Sequence, residues 1–522
     1  MPRAQRQTVE HSPAFDRALA LMREGPPFAF ITGRAGTGKS TLLRHFRETT
    51  DLSCAYLAPT GVAALNIDGE TIHSFFRFAP GITLRDAKRK GAACAEPELF
   101  GALDAIVVDE ISMVRADLLD CMDAFLRAAT GRARPFGGVR LIAIGDLYQL
   151  PPVVTPAEAD AFAKRYETPY FFSSDAVSAL RARGEIGFVE LEKVYRQTDA
   201  AFIDLLNGVR NRTITDEQMA ALNARTVAPV ASSAGGMIHL TATNAAADEI
   251  NAARLASLPG KPTVLRGTVK GDFPPKDRPT DADLPMKRHA RVMFVANDGG
   301  GRYVNGTLGV VESLSRASMA VRTDGGEAYR LEPHTWTLYR STYDGKRREL
   351  GRERLGTFTQ FPVRLAWATT IHKSQGKTFD RVVVDLGRGA FAAGQTYVAL
   401  SRCRSLEGIR LAKPIARRSL LFDYRVMKFQ TSLQYELADR AQAPEEKRRL
   451  LEEAIRGKTS VRITYLKGKD ERSVRDVRPR RLYADEIGGH AYEALDAYCL
   501  LRRGDRVFNV ARILRVEKKD AP

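Results

Sequence analysis

The sequence predicts an α/β protein of several domains, built on parallel sheets with β-rich additions. Three observations carry that prediction. A glycine-rich loop, Gly33-Arg34-Ala35-Gly36-Thr37-Gly38-Lys39-Ser40, sits between an apolar run, 28–31, and a helical stretch, 41–46. Short apolar runs recur at 55–58, 105–108, 141–144, 238–241 and 381–386. The chain's 522 residues exceed what one core organises, and its tail changes character to alternating, basic, aromatic-bearing segments.

The first helix spans 12–24, with Ser12 as N-cap and Pro13 as the first helical residue. The loop that follows fits G-x-x-x-x-G-K-[ST], and strand, loop and helix in succession give that pattern its meaning. Its glycines let backbone N–H groups turn in around a phosphate, and the helix start adds a positive dipole end. Lys39 is placed to reach the β- and γ-phosphates and Ser40 to ligate Mg²⁺. Gly33, Gly36, Thr37, Gly38, Lys39, Ser40 and Thr41 are therefore the expected nucleotide-binding residues.

Residues 55–58 form a buried strand ended by Pro59-Thr60, and a helix begins at Gly61. Thr60, at a strand end beside a helix start, is a good place to hold a nucleic-acid phosphate. Spacing alone favours a packing role for 71–76. The run 105–108 ends in Asp109 and Glu110, which sets two carboxylates at the C-terminal edge of a parallel sheet. Asp109 is expected to serve the Mg²⁺ shell and Glu110 to polarise the attacking water. After 141–144 comes Gly145-Asp146-Leu147-Tyr148-Gln149, then two prolines that stop any helix. Gln149 can hold the lytic water or sense the γ-phosphate; an ordinary polar loop residue would look the same.

A second series of apolar strands begins at 188–191 and continues at 238–241. Residues 270–290, rich in Pro, Asp and Lys, read as a loop or insertion. Strands at 291–297 and 307–311 flank the turn signals Asn297-Asp298-Gly299 and Asn305-Gly306, suggesting a small β-barrel insert to about residue 358. The α/β pattern returns at 365–376, 381–386 and 397–404. Arg196 and Arg402 stand out because a motor needs cationic fingers that reach a neighbouring domain's γ-phosphate. Residues 431–450 read as a polar helical linker. The tail carries strands at 461–466, with Gly468 near the end, then 478–483 and 507–513. Such a surface suits single-stranded nucleic acid through stacking and charge; an interaction barrel with solvated arginines has the same composition.

The net charge of +18 points to a polyanionic partner. The five cysteines lack C-x-x-C spacing, which argues against a zinc site or disulfide framework and for a reducing compartment. Neither an apolar signal core at the N-terminus nor a membrane-spanning run is visible, so a cytoplasmic protein is expected.

Together these stretches resemble the Pif/RecD-like branch of superfamily-one helicases, most closely the Pif-type 5′-to-3′ DNA helicases. The resemblance covers about 13–425 and rests on motifs in the family's order: GRAGTGKST at 33–41, APTGVAA at 58–64, TIHSFF at 71–76, VVDEISM at 107–113 and GDLYQLPPV at 145–153. VYRQ at 194–197, RYVNGTLGVV at 302–311, LAWATTIHKSQGKTFD at 365–380 and YVALSR at 397–402 complete it. It implies two RecA-like P-loop domains, about 1–185 and 186–430, with ATP and Mg²⁺ in the cleft between them. Lys39, Glu110, Gln149, Arg196 and Arg402 would be catalytic, Ser40 and Asp109 would hold the metal, and Gln375 and Gly376 would couple nucleotide to DNA. Thr60, His73, Thr370, His372 and Lys373 fall where the family contacts single-stranded DNA. A strand-separating wedge would occupy about 77–100, and the β-barrel insert about 290–358. The family's adenine-reading Gln upstream of the loop is replaced by Asp16 in this register.

After a linker helix at 431–451, residues 452–522 resemble a WYL domain, a small β-barrel that binds nucleic-acid ligands. The likeness rests on Ile463, Tyr465, Pro479, Arg480, Arg481, Tyr492, Tyr498-Cys499, Arg506-Val507-Phe508 and Arg512-Ile513, although the namesake triplet reads Ala491-Tyr492-Glu493. Arg480, Arg481 and Arg506 are its expected DNA contacts. The combination implies a bacterial, nucleoid-associated, monomeric helicase of DNA repair, recombination or telomere-type maintenance. It would act on single-stranded, forked or structured DNA beside replication or repair proteins. Two other readings remain at this point: a DNA-stimulated ATPase switch regulated through the WYL domain, and a RecD-like motor subunit.

Overall fold

The computed structural model describes residues 12–227, 236–347, 349–467, 472–487 and 489–519. Gly468 lies outside them. They divide into two compact units, one ending at Phe422 and one beginning at Asp423.

The first unit is founded on a parallel six-stranded sheet. Its order is Glu70–Thr71, Cys54–Ala58, Ala105–Val108, Arg140–Ile144, Phe28–Gly33 and Ile186–Leu191. Four of these strands are almost wholly apolar because helices or loops cover both faces. On one face the helices Pro13–Glu24 and Lys39–Thr49 bury Phe15, Leu19, Met22, Leu42 and Phe46 against Ala29, Ile31, Ile142 and Ile144. Ser12 does cap the first helix, its Oγ accepting from the Phe15 N–H at 3.2 Å. Ile186–Leu191 pairs along the whole of Phe28–Gly33, so the first sheet continues past the boundary expected at 185. Strand patterning shows that 188–191 is extended, but not which sheet it joins.

The second RecA-like sheet is also parallel, in the order Ala368–Thr370, Ile238–Thr241, Val382–Asp385 and Ile409–Leu411. Between its first two strands in sequence the chain makes a β-rich insertion. It contains a five-stranded antiparallel sheet running from Arg291–Phe294 to Val363–Leu365 and a three-stranded sheet around the hairpin His334–Asp344 and Glu349–Gln360. The insert is thus wider than 290–358. Residues 270–290 are not only loop: Asp283–Met286 pairs antiparallel with Thr263–Arg266, and Leu284 and Met286 enter the insert's core. Pro285 disguises that strand; it is tolerated because the ribbon has two strands only.

The segment 77–100 is helical where it is regular. Leu84–Ala92, capped by Thr83, and Pro97–Gly101 pack on Ala116–Thr130. Gly91 permits the approach, since a Cβ there would lie 2.3 Å from the Phe125 carbonyl oxygen. Phe76, Phe78, Phe100 and Phe125 close the junction as one aromatic cluster.

The second unit is one antiparallel sheet, ordered Gly504–Asn509, His490–Cys499, Arg472–Ile487, Val461–Leu466 and Ile513–Lys518. Register shifts at Pro479/Arg481 and Thr464/Tyr465 interrupt the ladder, as bulges do where a small sheet bends. Two helices precede it, Tyr424–Ala441 and Pro444–Gly457. The second is not a linker. Leu450, Leu451 and Ala454 join Val461, Ile463, Val477, Leu495 and Phe508 in the core. The charge run Glu445–Arg449 masks that stripe in the sequence. Gln442 clips the last strand on, donating from Nε2 to the Val516 carbonyl at 2.9 Å and accepting from its N–H at 2.8 Å.

Leu451→Ala should therefore weaken the second unit by about 2–5 kcal/mol. Limited proteolysis checks this: residues 423–522 should be lost faster than in the parent chain. Arg449→Ala, which removes only an exposed pair with Glu453, should change nothing.

Candidate nucleotide and nucleic-acid site

The phosphate loop leaves Phe28–Gly33 at the C-terminal edge of the first sheet and ends on the helix Lys39–Thr49. Gly36 and Gly38 hold φ of +81° and +88°, the left-handed region that glycine enters freely. Gly36 must also lack a side chain because its Cβ would stand 2.4 Å from the Arg196 Cβ. The Thr37 hydroxyl donates to the Arg34 carbonyl at 2.9 Å, and Lys39 Nζ donates to the carbonyls of Gly33 and Arg34 at 2.6 and 3.0 Å. Burial lowers the Lys39 pKa, while Asp146 and Glu110 oppose that. Ser40 is exposed and Thr41 half-buried at the start of the helix. Asp16 sits in the first turn of Pro13–Glu24.

Asp109 and Glu110 follow the strand Ala105–Val108. The Asp109 carboxylate accepts from the Glu110 N–H at 2.9 Å. Glu110 itself has φ +51° and ψ +43°, a left-handed backbone costing a non-glycine residue about 1–3 kcal/mol. Burial raises both carboxyls; the Glu110 charge raises Asp109 further, whereas Lys39 and Arg402 draw Glu110 back. The third strand end supplies Gln149, whose Nε2 donates to Asp146 Oδ2 at 3.3 Å.

The second sheet presents its own groups to this edge. Gln375 Nε2 donates to Gln149 Oε1 at 3.5 Å. The Tyr397 hydroxyl accepts from the Ala35 N–H of the phosphate loop at 3.0 Å. Gly394, ahead of the helix Gln395–Leu400, lies so close that a Cβ would be 2.3 Å from the Tyr148 carbonyl oxygen. Arg196 donates to the Ser401 carbonyl at 3.3 Å. Arg402 is 1% exposed, with Nε on the Val398 carbonyl and Nη2 on the Ser401 hydroxyl. Burial, with Arg196 nearby, pushes its pKa down to about 9. Lys377 is lowered to about 8 by burial, Arg364 and Arg402. Gly376 takes φ +74°.

Thr60 follows the strand Cys54–Ala58 of the first sheet, and Thr370 ends the strand Ala368–Thr370 of the second. The exposed Thr60 caps the helix Gly61–Asn66, accepting from the Ala63 N–H at 3.3 Å. Thr370 is buried and accepts from the Lys373 N–H at 3.1 Å. His73 and His372 are half-buried and lowered by burial, His73 additionally by Lys276. Arg480, Arg481 and Arg506 belong to the second unit. Arg480 donates to Asp505 at 3.0 Å, and Arg481 lies 3.5 Å from Asp496 and 4.8 Å from the Tyr483 ring centroid. Two of these three arginines therefore already have acidic partners; Arg506 is exposed.

Asp146, Arg210, Lys377 and Tyr397 escape the reading of the sequence. Asp146 was detectable as a second acid directly after a buried strand. Tyr397 sits in a short, wholly buried helix, Gln395–Leu400, and gives no signal of its own.

The Ser40 hydroxyl and Asp109 carboxylate are hard oxygen donors, the kind Mg²⁺ takes beside phosphate oxygens. A phosphate loop on one parallel sheet, faced by cations and amides from a second, is the arrangement of two RecA-like domains around a nucleoside-triphosphate site. Residues 8–220 match the profile of the PIF1-like helicases, and 446–518 that of the WYL domain. Pif1 of Bdellovibrio bacteriovorus, named an ATP-dependent DNA helicase, is 32% identical over 434 residues, covering 81% of this chain and 92% of that protein. Human PIF1, named likewise, is 36% identical over 431 residues; the match takes in 77% of this chain but only 61% of the human protein. The Bacteroides sp Pif1 structure with ADP-AlF4 superposes with a TM-score of 0.74 at 34% identity, over 82% of this chain and 98% of that one. The same helicase bound to single-stranded DNA gives 0.59 at 35% identity, over 81% and 97%. The chain belongs to the PIF1-like helicase family.

Proposed function

We propose that the chain is an ATP-dependent 5′-to-3′ DNA helicase that moves on single-stranded DNA and opens duplex, forked or structured DNA in genome maintenance. The observation that carries this is the Gln149–Gln375 contact, which joins the loop beside the phosphate-binding edge of one sheet to the loop after a strand of the other. Ser40 and Asp109 would hold Mg²⁺, which screens phosphate charge. Lys39 and the loop amides bind the phosphates, Glu110 orients and polarises the attacking water, and Gln149 reads the γ-phosphate. Arg196 and Arg402 neutralise charge that develops on it.

Thr60 and His73 grip DNA from the first sheet, and Thr370, His372 and Lys373 from the second. Nucleotide-dependent movement between the two sheets makes the grips alternate. The helical segment 77–100 separates the strands. Arg480, Arg481 and Arg506 add affinity from the second unit. The first RecA-like domain then runs to about 191 and the second from there to about 422, with a cytoplasmic, nucleoid-associated monomer as the acting form. Among the described residues no helix is long and apolar enough to cross a membrane.

Partial duplexes with a 5′ or a 3′ single-stranded tail, given ATP and Mg²⁺, test this reading. Unwinding of the 5′-tailed substrate alone is expected. DNA-stimulated hydrolysis without unwinding of either would favour the WYL-regulated switch, and unwinding of the 3′-tailed substrate would reverse the polarity. Single-strand affinity should also fall steeply between 50 and 200 mM salt, by about tenfold or more if a few phosphates are neutralised.

A further inference from the structure

Arg210 ends the helix Ala200–Arg210, and its side chain is only 4% exposed. Its guanidinium carbon stands 3.7 Å from the Tyr148 ring centroid. Nη2 is 3.7 Å from Asp146 Oδ1 and 4.0 Å from Glu190 Oε1, yet Nε and Nη2 have no hydrogen-bond partner. Burial works against the charge, but Asp146 and the nearby tyrosines outweigh it. A buried arginine with unmet donors is costly to keep, so its position calls for an explanation.

Asp146 is fully buried, and each of its oxygens is committed. Oδ1 accepts from the Tyr148 N–H at 3.1 Å, and Oδ2 accepts from Gln149 Nε2 at 3.3 Å. The other end of that amide accepts from Gln375 at 3.5 Å. Only one orientation of the Gln149 amide meets both neighbours: its NH₂ toward a carboxylate, its oxygen toward a donor. That orientation requires both Asp146 oxygens to stay where they are. Arg210 supplies a cation beside that carboxylate, and its guanidinium, lying over the Tyr148 ring, fixes the turn from which Gln149 projects.

We propose that Arg210 is a positioning residue for Gln149, acting through Asp146 and Tyr148. The proposal rests on the assignment of Gln149 to the γ-phosphate made above. It does not make Arg210 a phosphate ligand.

The test is steady-state ATP hydrolysis by the full chain with single-stranded DNA, for Gln149→Ala, Arg210→Met, Arg210→Lys and the double variant Q149A/R210M. Arg210→Met should lower kcat about tenfold while KM for ATP moves less than about twofold. Arg210→Lys, which restores a cation beside Asp146 but not the guanidinium over Tyr148, should recover part of the loss. In the Gln149→Ala background, Arg210→Met should cost less than about a further twofold, because the group it orients is gone. If the two losses multiply in full, Arg210 does not act through Gln149 and the proposal is overturned. If Gln149→Ala alone leaves kcat unchanged, the assignment of Gln149 fails first, and the proposal falls with it. Should Arg210→Met not fold, Asp146→Asn replaces it in the cycle: it keeps the shape, removes the charge, and is judged by the same rule.

Discussion

Lys39→Ala is expected to stop ATP hydrolysis, by a factor of at least about a hundred, and to abolish unwinding of every substrate. Lys39 is the cation closest to the loop carbonyls and feels Asp146, Glu110 and Asp109 together. On the proposed reading its removal takes away the charge that would meet the β- and γ-phosphates and leaves those carboxylates facing a polyanion. Nucleotide binding should weaken with it. Single-strand binding in the absence of nucleotide should survive, since Thr60, His73, Thr370 and His372 do not depend on the ammonium. A fluorescent ATP analogue and a labelled oligonucleotide separate the two effects. Hydrolysis near the parental rate would remove Lys39 from the chemistry.

Glu110→Gln is expected to act differently: ATP binding retained, turnover lost. The amide keeps the size of the side chain and cannot accept a proton from water. The left-handed backbone at Glu110 aims that side chain independently of what it ends in. Measured over pH, the parental rate should fall on the acid side as Glu110 takes up its proton. Because burial raises its pKa, that limb should lie above the ordinary carboxylate range. The group is active only when deprotonated, so activity is present above the raised pKa and lost below it. A variant that binds ATP and hydrolyses it normally would assign the base to another residue.

Much of this site was legible because its chemistry sits in contiguous stretches. Gly33–Ser40, Asp109-Glu110 and Gln149 each follow a short apolar strand, and a parallel sheet brings strand ends to one edge without further information. What was not legible depends on which strand pairs with which. The strand Ile186–Leu191 reads as the start of something new but completes the first sheet beside Phe28–Gly33. Arg210 and Tyr397 look like ordinary helix residues, and only the approach of their helices to Tyr148 and Ala35 gives them a place. Pro285 hid a strand, and the charges of 445–449 hid an apolar stripe. In the strand the residues that mattered were the alternate ones, Leu284 and Met286; in the helix they were Leu450, Leu451 and Ala454, which share one face.

The bonds from Gln442 to Val516, with Leu450 and Leu451 in the core, bear on how the tail can be studied. The polypeptide of the second unit is stitched end to beginning, so no cut inside 424–518 yields an intact piece. A truncation at residue 452 would sever the helix Pro444–Gly457 in mid-course and leave its sticky leucines dangling from the motor. Poor behaviour of such a fragment would report aggregation and say nothing about DNA. The natural scissors point is before Asp423, where a separated tail and a separated motor could each be asked what it holds.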